Sequence, residues 1–599
     1  MASASKNNSP IGEAHFRRLI DIGIALSAER DNARLMEMIL LEAKDICNAD
    51  GGTFYLRTDE DHLKFTIMRT DSLNIAMGGT TGKDIPIPPL NLFIPETGEK
   101  NEKNIAAFTA NEKFMVNIPD AYDSTDFDFS GAKAFDQNNN YRTQSVLAVP
   151  MVNNEQDVIG VLQLINSKDP DTDEVVPFDP ALESLIEALT SQAAVALENA
   201  LLLEAQKKLF RSFINLISSA IDAKSPYTGG HCQRVPELTM MLVDAAKAAT
   251  TGPFADYELT EENREEIEIA AALHDCGKVT TPEYVVDKAT KLETIYNRLH
   301  EIRTRFEVVK RDVEIEYLKQ IIDGGDESVL KPAMEEKLAK LDDDYAFIAE
   351  SNVGGEFMAP ERIERVQEIA SIKWMRTLDD RIGLAYEERM RMKQVEAVPL
   401  PAEEDLLTDK ISHIMYRGEG ETALYEEGND YGFLLNVPEH RFNMGEVYNL
   451  CIARGTLTEE ERFKINDHIV QTIIMLDQLP FPKHLKRVSE YAGGHHEKMD
   501  GTGYPKKLKR DQMNVEARMM AIADIFEALT AADRPYKEPK TLSACIKIMS
   551  FMKKDEHIDG ELFELFLTSG IYKDYADRFL QQNQIDEVDI TPYLSDGKS

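Results

Sequence analysis

IAAALHDCGK (269–278) joins an apolar helical run directly to a histidine–aspartate pair. The apolar run Ile269–Leu273 reads as the buried end of a helix, and His274 and Asp275 follow it just ahead of Gly277, where a helix is expected to stop. Adjacent ligands at a helix end can face two metals at once. Working outward, four more histidines and a carboxylate join them: His231, His468, His495, His496 and Asp524. Leu485, Val488, Ala492 and His495 form one helical stripe, and Ala517, Ala521, Asp524 and Ala528 form another. His231 follows Gly229 and Gly230, and Val235, Leu238 and Leu242 continue its face. A carboxylate on a small apolar face is costly when buried unpaired, so Asp524 needs a cation or strong donors. Imidazole with carboxylate suits first-row transition metals, and seven such groups exceed the needs of one tetrahedral ion. Two metals sharing Asp275 would use them well. His15, His62, His300, His413, His440, His484 and His557 read instead as surface or satisfied core residues.

The bulk composition bounds the setting. A chain of 599 residues exceeds one ordinary core, so two or more domains are expected. Its formal charge of −39, from 106 acidic against 67 basic residues, argues against a non-specific binder of nucleic-acid polymers. A small anionic ligand in a locally basic cleft stays compatible with it. Five cysteines without CxxC spacing indicate a reduced, cytoplasmic protein. The start lacks a signal-peptide core, and no run near 20 apolar residues follows, so no membrane association is expected.

Before residue 200 the pattern changes. A polar tail (1–14) leads into a helical stretch, Arg17 to Cys47, and then short strand-like runs. SVLAVPMV (145–152) and VIGVLQLI (158–165), joined by NNEQD, read as an antiparallel hairpin. With NIPDAY (117–122), YRTQSVLAVPM (141–151) and VIGVLQLINSKD (158–169), residues 15–200 resemble a GAF domain, a small-molecule sensor module. Asn166, Phe178 and Asp179 are similar to the Asn-Lys-Phe-Asp-Glu signature of cyclic-nucleotide GAF domains, with Ser167 at the lysine position. That departure leaves the ligand unassigned, and an empty scaffold is the alternative. One long helix over 180–222 carries Leu182, Leu185, Leu189, Gln192, Ala196, Asn199 and Leu203 at 3,4 spacing. It reads as a connecting and dimerising element, with packing on its own domain as the alternative.

HDCGK (274–278), HHEKMDGTGYP (495–505) and ARMMAIADIFEALTAADRPY (517–536) resemble the HD-GYP phosphodiesterases, a branch of the HD metal-dependent phosphohydrolases. TGGHCQRV (228–235) and GTLTEEERFKINDHIV (455–470) stand in the matching places. The resemblance implies a multidomain α+β chain: an N-terminal GAF domain with an antiparallel sheet flanked by helices, the linker helix, and an all-α HD-GYP domain over 223–293 and 450–590. A large helical insertion, 294–449, interrupts that domain.

What the resemblance implies chemically is hydrolysis of cyclic di-GMP to linear pGpG or GMP by two divalent metals, iron or manganese. His231, His274, Asp275, His468, His495, His496 and Asp524 are the implied ligands, with Asp275 bridging. Lys278 would offset charge on the phosphoryl oxygens. Lys288, Arg518 and Arg534 are the implied phosphate or base contacts, each arginine also readable as a structural ion pair. Gly503, Tyr504 and Pro505 form a turn in which Tyr504 stacks a base or simply packs. Three-metal relatives carry a glutamate where this chain has Tyr227, so a binuclear site is expected. A mixed cyclic GMP-AMP substrate, another nucleotide, or binding without turnover stay open, as does a partner protein docked on the insertion. A homodimer is expected.

Overall fold

The structure, a computed structural model, describes residues 10–224, 230–355, 357–532 and 539–595. Tyr227 and Arg534 lie outside the described residues, as do residues 1–9 of the expected tail. A helix begins at Pro10, inside the expected tail, where a missing N–H costs nothing. Two compact units divide at Arg211 and Ser212.

The first unit is built on eight antiparallel strands: β1 Ala49–Arg57, β2 His62–Thr70, β3 Ile75–Gly78, β4 Leu90–Asn91, β5 Val116–Ile118, β6 Val146–Val152, β7 Val158–Lys168 and β8 Val175–Val176. Their order is β3-β2-β1-β7-β6-β5, with β4 on β2 and β8 on β7. The expected hairpin is the β6–β7 pair, with Val149 opposite Leu162. Strand alternation sends Leu162 and Leu164 into a core shared with Ile39, Leu40, Ile186, Leu189 and Leu197, while Val161 faces Tyr55 and Ala107 on the other side. Both sheet faces are thereby covered.

The expected helix over 180–222 is continuous from Pro180 to Asp222. Its first half packs on the first unit's core through Ile186, Leu189, Ala193 and Leu197. Beyond that, Leu202, Leu203, Leu209, Phe213 and Leu216 are exposed. The GAF signature residues have structural tasks. Asn166 accepts from the Gln144 amide and donates to the Arg142 carbonyl, and Asp179 accepts from the Ala181 amide at the head of the long helix.

In the second unit the insertion leaves and rejoins the helical framework at neighbouring points. Lys291 donates to the carbonyls of Leu450 and Ile452, at 2.8 Å each, and Thr456 Oγ1 donates to the Lys288 carbonyl at 3.0 Å. The two ends of the expected insertion (294–449) are thus bonded to each other. The helical expectation for the insertion holds for Leu299–Ile322, Glu327–Asn352 and Pro360–Ala370. Afterwards it holds only for Tyr386–Met392 and the start of Glu446–Leu450: Lys373–Arg376 pairs with Ala402–Asp405, and Ile414–Tyr416 pairs with His440–Asn443. Short strands of this kind give no long apolar period, so sequence periodicity misses them.

Burial holds His413, within the insertion, neutral and pulls its pKa down to about 4. The unfolded chain takes up that proton near pH ~6.5, so protonation favours unfolding. Stability carried by this region is lost as pH falls from about 6.5 towards 4. A His413→Gln variant is expected to show a shallower fall in melting temperature across that window. Parallel curves for variant and parent would refute this.

Candidate metal centre

Each ligand histidine is aimed by its own helix. His274 caps the helix Glu261–Leu273, His468 lies within Glu459–Asp477, and His495 follows Val488–Gly493. In all three, Nδ1 donates to the carbonyl three residues back: Ala271 at 2.7 Å, Ile465 at 2.5 Å and Ala492 at 2.6 Å. A proton fixed on Nδ1 leaves Nε2 as the lone-pair donor, the tautomer a metal ligand requires.

His231 opens the helix His231–Ala248 and is fixed differently. Its Nδ1 lies 2.5 Å from Glu527 Oε2, while Glu527 Oε1 accepts from Arg234 Nε at 2.8 Å. Sequence reasoning missed Glu527, although a signal existed. It sits three residues beyond Asp524 on helix Val515–Thr530, so both carboxylates share one face.

The ligand atoms gather in two groups, His231/His274/Asp275 and His468/His495/His496, each with its donor atoms within 4.8 Å of one another. His231 Nε2 lies 3.2 Å from both His274 Nε2 and Asp275 Oδ2, and 3.3 Å from Asp524 Oδ1. His468 Nε2 lies 3.2 Å from His496 Nε2 and 3.3 Å from the other Asp275 oxygen, Oδ1. Asp275 therefore stands between the groups, one oxygen toward each. All seven expected ligands are brought together.

The electrostatics fit a cation site. Burial would raise the Asp275 pKa, but Lys278, His274 and His231 outweigh it and hold the carboxyl well below its usual range. Asp524 is likewise held low against burial by His231 and His274. Burial, aided by neighbouring imidazoles, pulls His495 down to about 4 and His496 well below the usual imidazole range, whereas the adjoining carboxylates, against burial, hold His231 well above that range and His274 up at about 9, with protons that a bound cation would displace. Ionised carboxylates and neutral imidazoles are the forms that ligate. Two buried atoms, His495 Nε2 and Asp275 Oδ1, have no hydrogen-bond partner among the described residues. Orphaned acceptors of this kind are expensive unless a cation completes them, so the donor set fits divalent metal.

Outside the ligands, expectations divide. Lys278 donates to Asp275 Oδ2 at 2.5 Å. Tyr504 stacks on His496, with centroids 4.8 Å apart and 21° between planes, beside a cleft of about 510 Å³ that contains His495, His496 and Asp524. Gly503 passes so close to Glu497 that an added Cβ would lie 2.5 Å from its Cα. Glu497 itself, 1% exposed, accepts from the amides of Lys506 at 2.6 Å and Leu508 at 2.9 Å, which anchors the Gly503–Pro505 turn.

Two expected substrate contacts are corrected. Lys288 is 1% exposed at its side chain and spends its three donors on Asn449 and both Glu461 oxygens, at 2.8–3.1 Å. It staples the returning insertion to the capped start of helix Glu459–Asp477. Arg518 is ion-paired to buried Asp559, which caps helix Gly560–Thr568. The structural alternative holds for Arg518.

A GAF-domain family model matches residues 31–197, and HD-domain family models match 228–343 and 403–562. The chain joins a GAF domain to an HD domain. Its relatives include 3'3'-cGAMP-specific phosphodiesterase 1 of Vibrio cholerae, 35% identical over 116 residues, or 19% of this chain and 26% of that protein. Phosphodiesterase 2 of the same name and organism is 28% identical over 247 residues, 41% of this chain and 43% of that one. A cyclic di-GMP phosphodiesterase of Pseudomonas aeruginosa is 40% identical over 79 residues, 13% of this chain and 18% of its own. The chain spans less than half the length of each. The two HD-domain matches flank the middle of the insertion, and the second covers His468, His495, His496 and Asp524. Among the described residues no helix is long and apolar enough to cross a membrane.

Proposed function

We propose that the HD domain, 223–293 with 450–590, is a metal-dependent phosphodiesterase that opens cyclic di-GMP to linear pGpG or GMP. The observation that carries this reading is Asp275 standing between two histidine groups, one of which, through His495 and His496, lines a cleft with Asp524 and Tyr504. His231, His274, Asp275 and Asp524 would hold one cation, and His468, His495, His496 and the second Asp275 oxygen the other. Two divalent metals, iron or manganese, would acidify a water and shield the phosphoryl oxygens during in-line attack. The chain's own part is to keep Asp275 ionised, to turn the Nε2 atoms of His274, His468 and His495 toward the cations through their Nδ1–carbonyl bonds, and to hold Lys278 beside the scissile phosphate. Glu527 and Arg234 orient His231.

A mixed cyclic GMP-AMP is the second substrate reading, favoured by the names of two Vibrio cholerae relatives. Regulation would enter through the GAF domain and an unidentified small ligand. A homodimer through the 180–222 helix is supported by its exposed Leu202, Leu203, Leu209, Phe213 and Leu216. Reducing, manganese- or iron-loaded protein is expected to convert cyclic di-GMP to linear product on chromatography and to carry about two metals per chain by elemental analysis. Chelation is expected to abolish turnover and metal addition to restore it. Product from cyclic GMP-AMP alone selects the second reading, and product from neither, with metal bound, overturns both.

A further inference from the structure

The insertion reaches a second cleft that joins the metal cleft. Its segment Leu434–Pro438 faces Arg462 and Asn466 of helix Glu459–Asp477 and the turn at Tyr504, enclosing about 440 Å³. Arg462, Asn466 and Tyr504 line both clefts, so the two spaces meet at these side chains. The insertion is held there firmly. Phe433 is fully buried against Ile469, Val470 and Ile473, the Leu434 amide donates to the Pro505 carbonyl at 2.7 Å, and the Tyr425 hydroxyl bonds Asp467.

Charge points the same way. In a chain with 106 acidic and 67 basic residues, most cleft cations should find a carboxylate. Yet among the described residues the side chains of Arg462, Lys498, Lys507 and Lys540, all lining these clefts, have neither a hydrogen bond nor an ion pair with a carboxylate. Unpaired cations around a connected space fit a ligand with more than one anionic group. A cyclic dinucleotide carries two phosphodiesters and two bases, so a metal pair acting on one phosphodiester would leave the other for the chain's own cations to hold.

We propose that the insertion segment Leu434–Pro438 and Arg462 form the distal half of the substrate site, Arg462 binding the phosphate remote from the metals and the segment walling the second base. This rests on the cyclic dinucleotide reading above. Arg462 offers a planar fork suited to phosphate oxygens, and Asn466, one turn further along the same helix face, adds an amide. The insertion thereby sets specificity for the second nucleotide without touching the metals.

Calorimetry on the manganese-loaded full chain, with a hydrolysis-resistant phosphorothioate analogue of cyclic di-GMP and with GMP, tests this. Arg462→Ala is expected to weaken the analogue at least tenfold and GMP less than twofold, with metal content unchanged. Asn436→Trp, which fills the distal cleft from the insertion side, is expected to do the same. Unchanged analogue affinity in Arg462→Ala, or equal weakening of GMP, overturns the assignment of Arg462. Unchanged affinity in Asn436→Trp overturns that of the insertion. Parent protein that binds the analogue and responds to both substitutions, yet never turns over cyclic di-GMP, overturns the hydrolase reading alone. Parent protein that binds no analogue overturns both.

Discussion

Asp275→Ala is expected to empty the centre of metal and to lower turnover of a cyclic dinucleotide by at least ~10³-fold. Among the described residues Asp275 alone has one oxygen on each histidine group, 3.2 Å from His231 and His274 and 3.3 Å from His468. Removing a partner that orients a ligand typically costs ~10–100-fold in metal affinity; removing a shared ligand strikes both cations at once. The alanine also strips the half-buried Lys278 of its carboxylate partner. Elemental analysis beside activity reads the outcome. Glu527→Gln is the graded comparison: it keeps an oxygen near His231 Nδ1 but removes the charge shared with Arg234, so a partial loss confined to the first metal is expected. A metal-loaded, active Asp275→Ala protein would sink the bridging assignment.

The gathering of the seven candidate ligands was legible because its signals are local. A histidine at the end of an apolar stripe must point inward, and His495 and Asp524 do. What could not be read depends on pairs distant in sequence. Lys288 has the charge of a phosphate contact, but its partner Glu461 lies 173 residues on, and only the returning insertion brings them together. Arg518 meets Asp559 in the same manner, across 41 residues. Glu497 and Glu527 were within quoted motifs yet carried no role, since a carboxylate that orients other groups has no spacing signature of its own. In the first unit, the β6–β7 hairpin was legible from alternation. The short strands of 373–443 were not, because three- to four-residue pairings leave too few alternations to count.

Gly277 was misread for a related reason, and its substitution carries the largest expected effect on stability. The sequence places it as a helix stop, but the helix ends at Leu273 and Gly277 lies inside the tight turn Cys276–Thr280, outside the left-handed region. Its requirement is close packing. A Cβ there would stand 1.9 Å from the His468 carbonyl oxygen, 2.5 Å from the Thr472 amide nitrogen and 2.8 Å from Thr472 Oγ1. Two of those atoms are backbone, so no rotamer change relieves the clash. Helix Glu459–Asp477 must withdraw, and the Gly277 amide loses its bond to Thr472 Oγ1, now 2.9 Å. Ordinary overpacking costs about 1–3 kcal/mol; a backbone-to-backbone collision belongs to the exceptional class of roughly 4–5 kcal/mol. Because His468 rides on the displaced helix, the His468/His495/His496 group should lose its metal before the His231/His274 group does. Gly277→Ala is therefore expected to lower the urea midpoint sharply and to bring metal content to about one per chain or below. Gly355→Ala, where an added methyl meets nothing within 4 Å, serves as the control and should match the parent. A Gly277→Ala protein with parental midpoint and metal content would show that the HD turn and the His468 helix are not held in this contact, and the link between packing and the second metal group would fall with it.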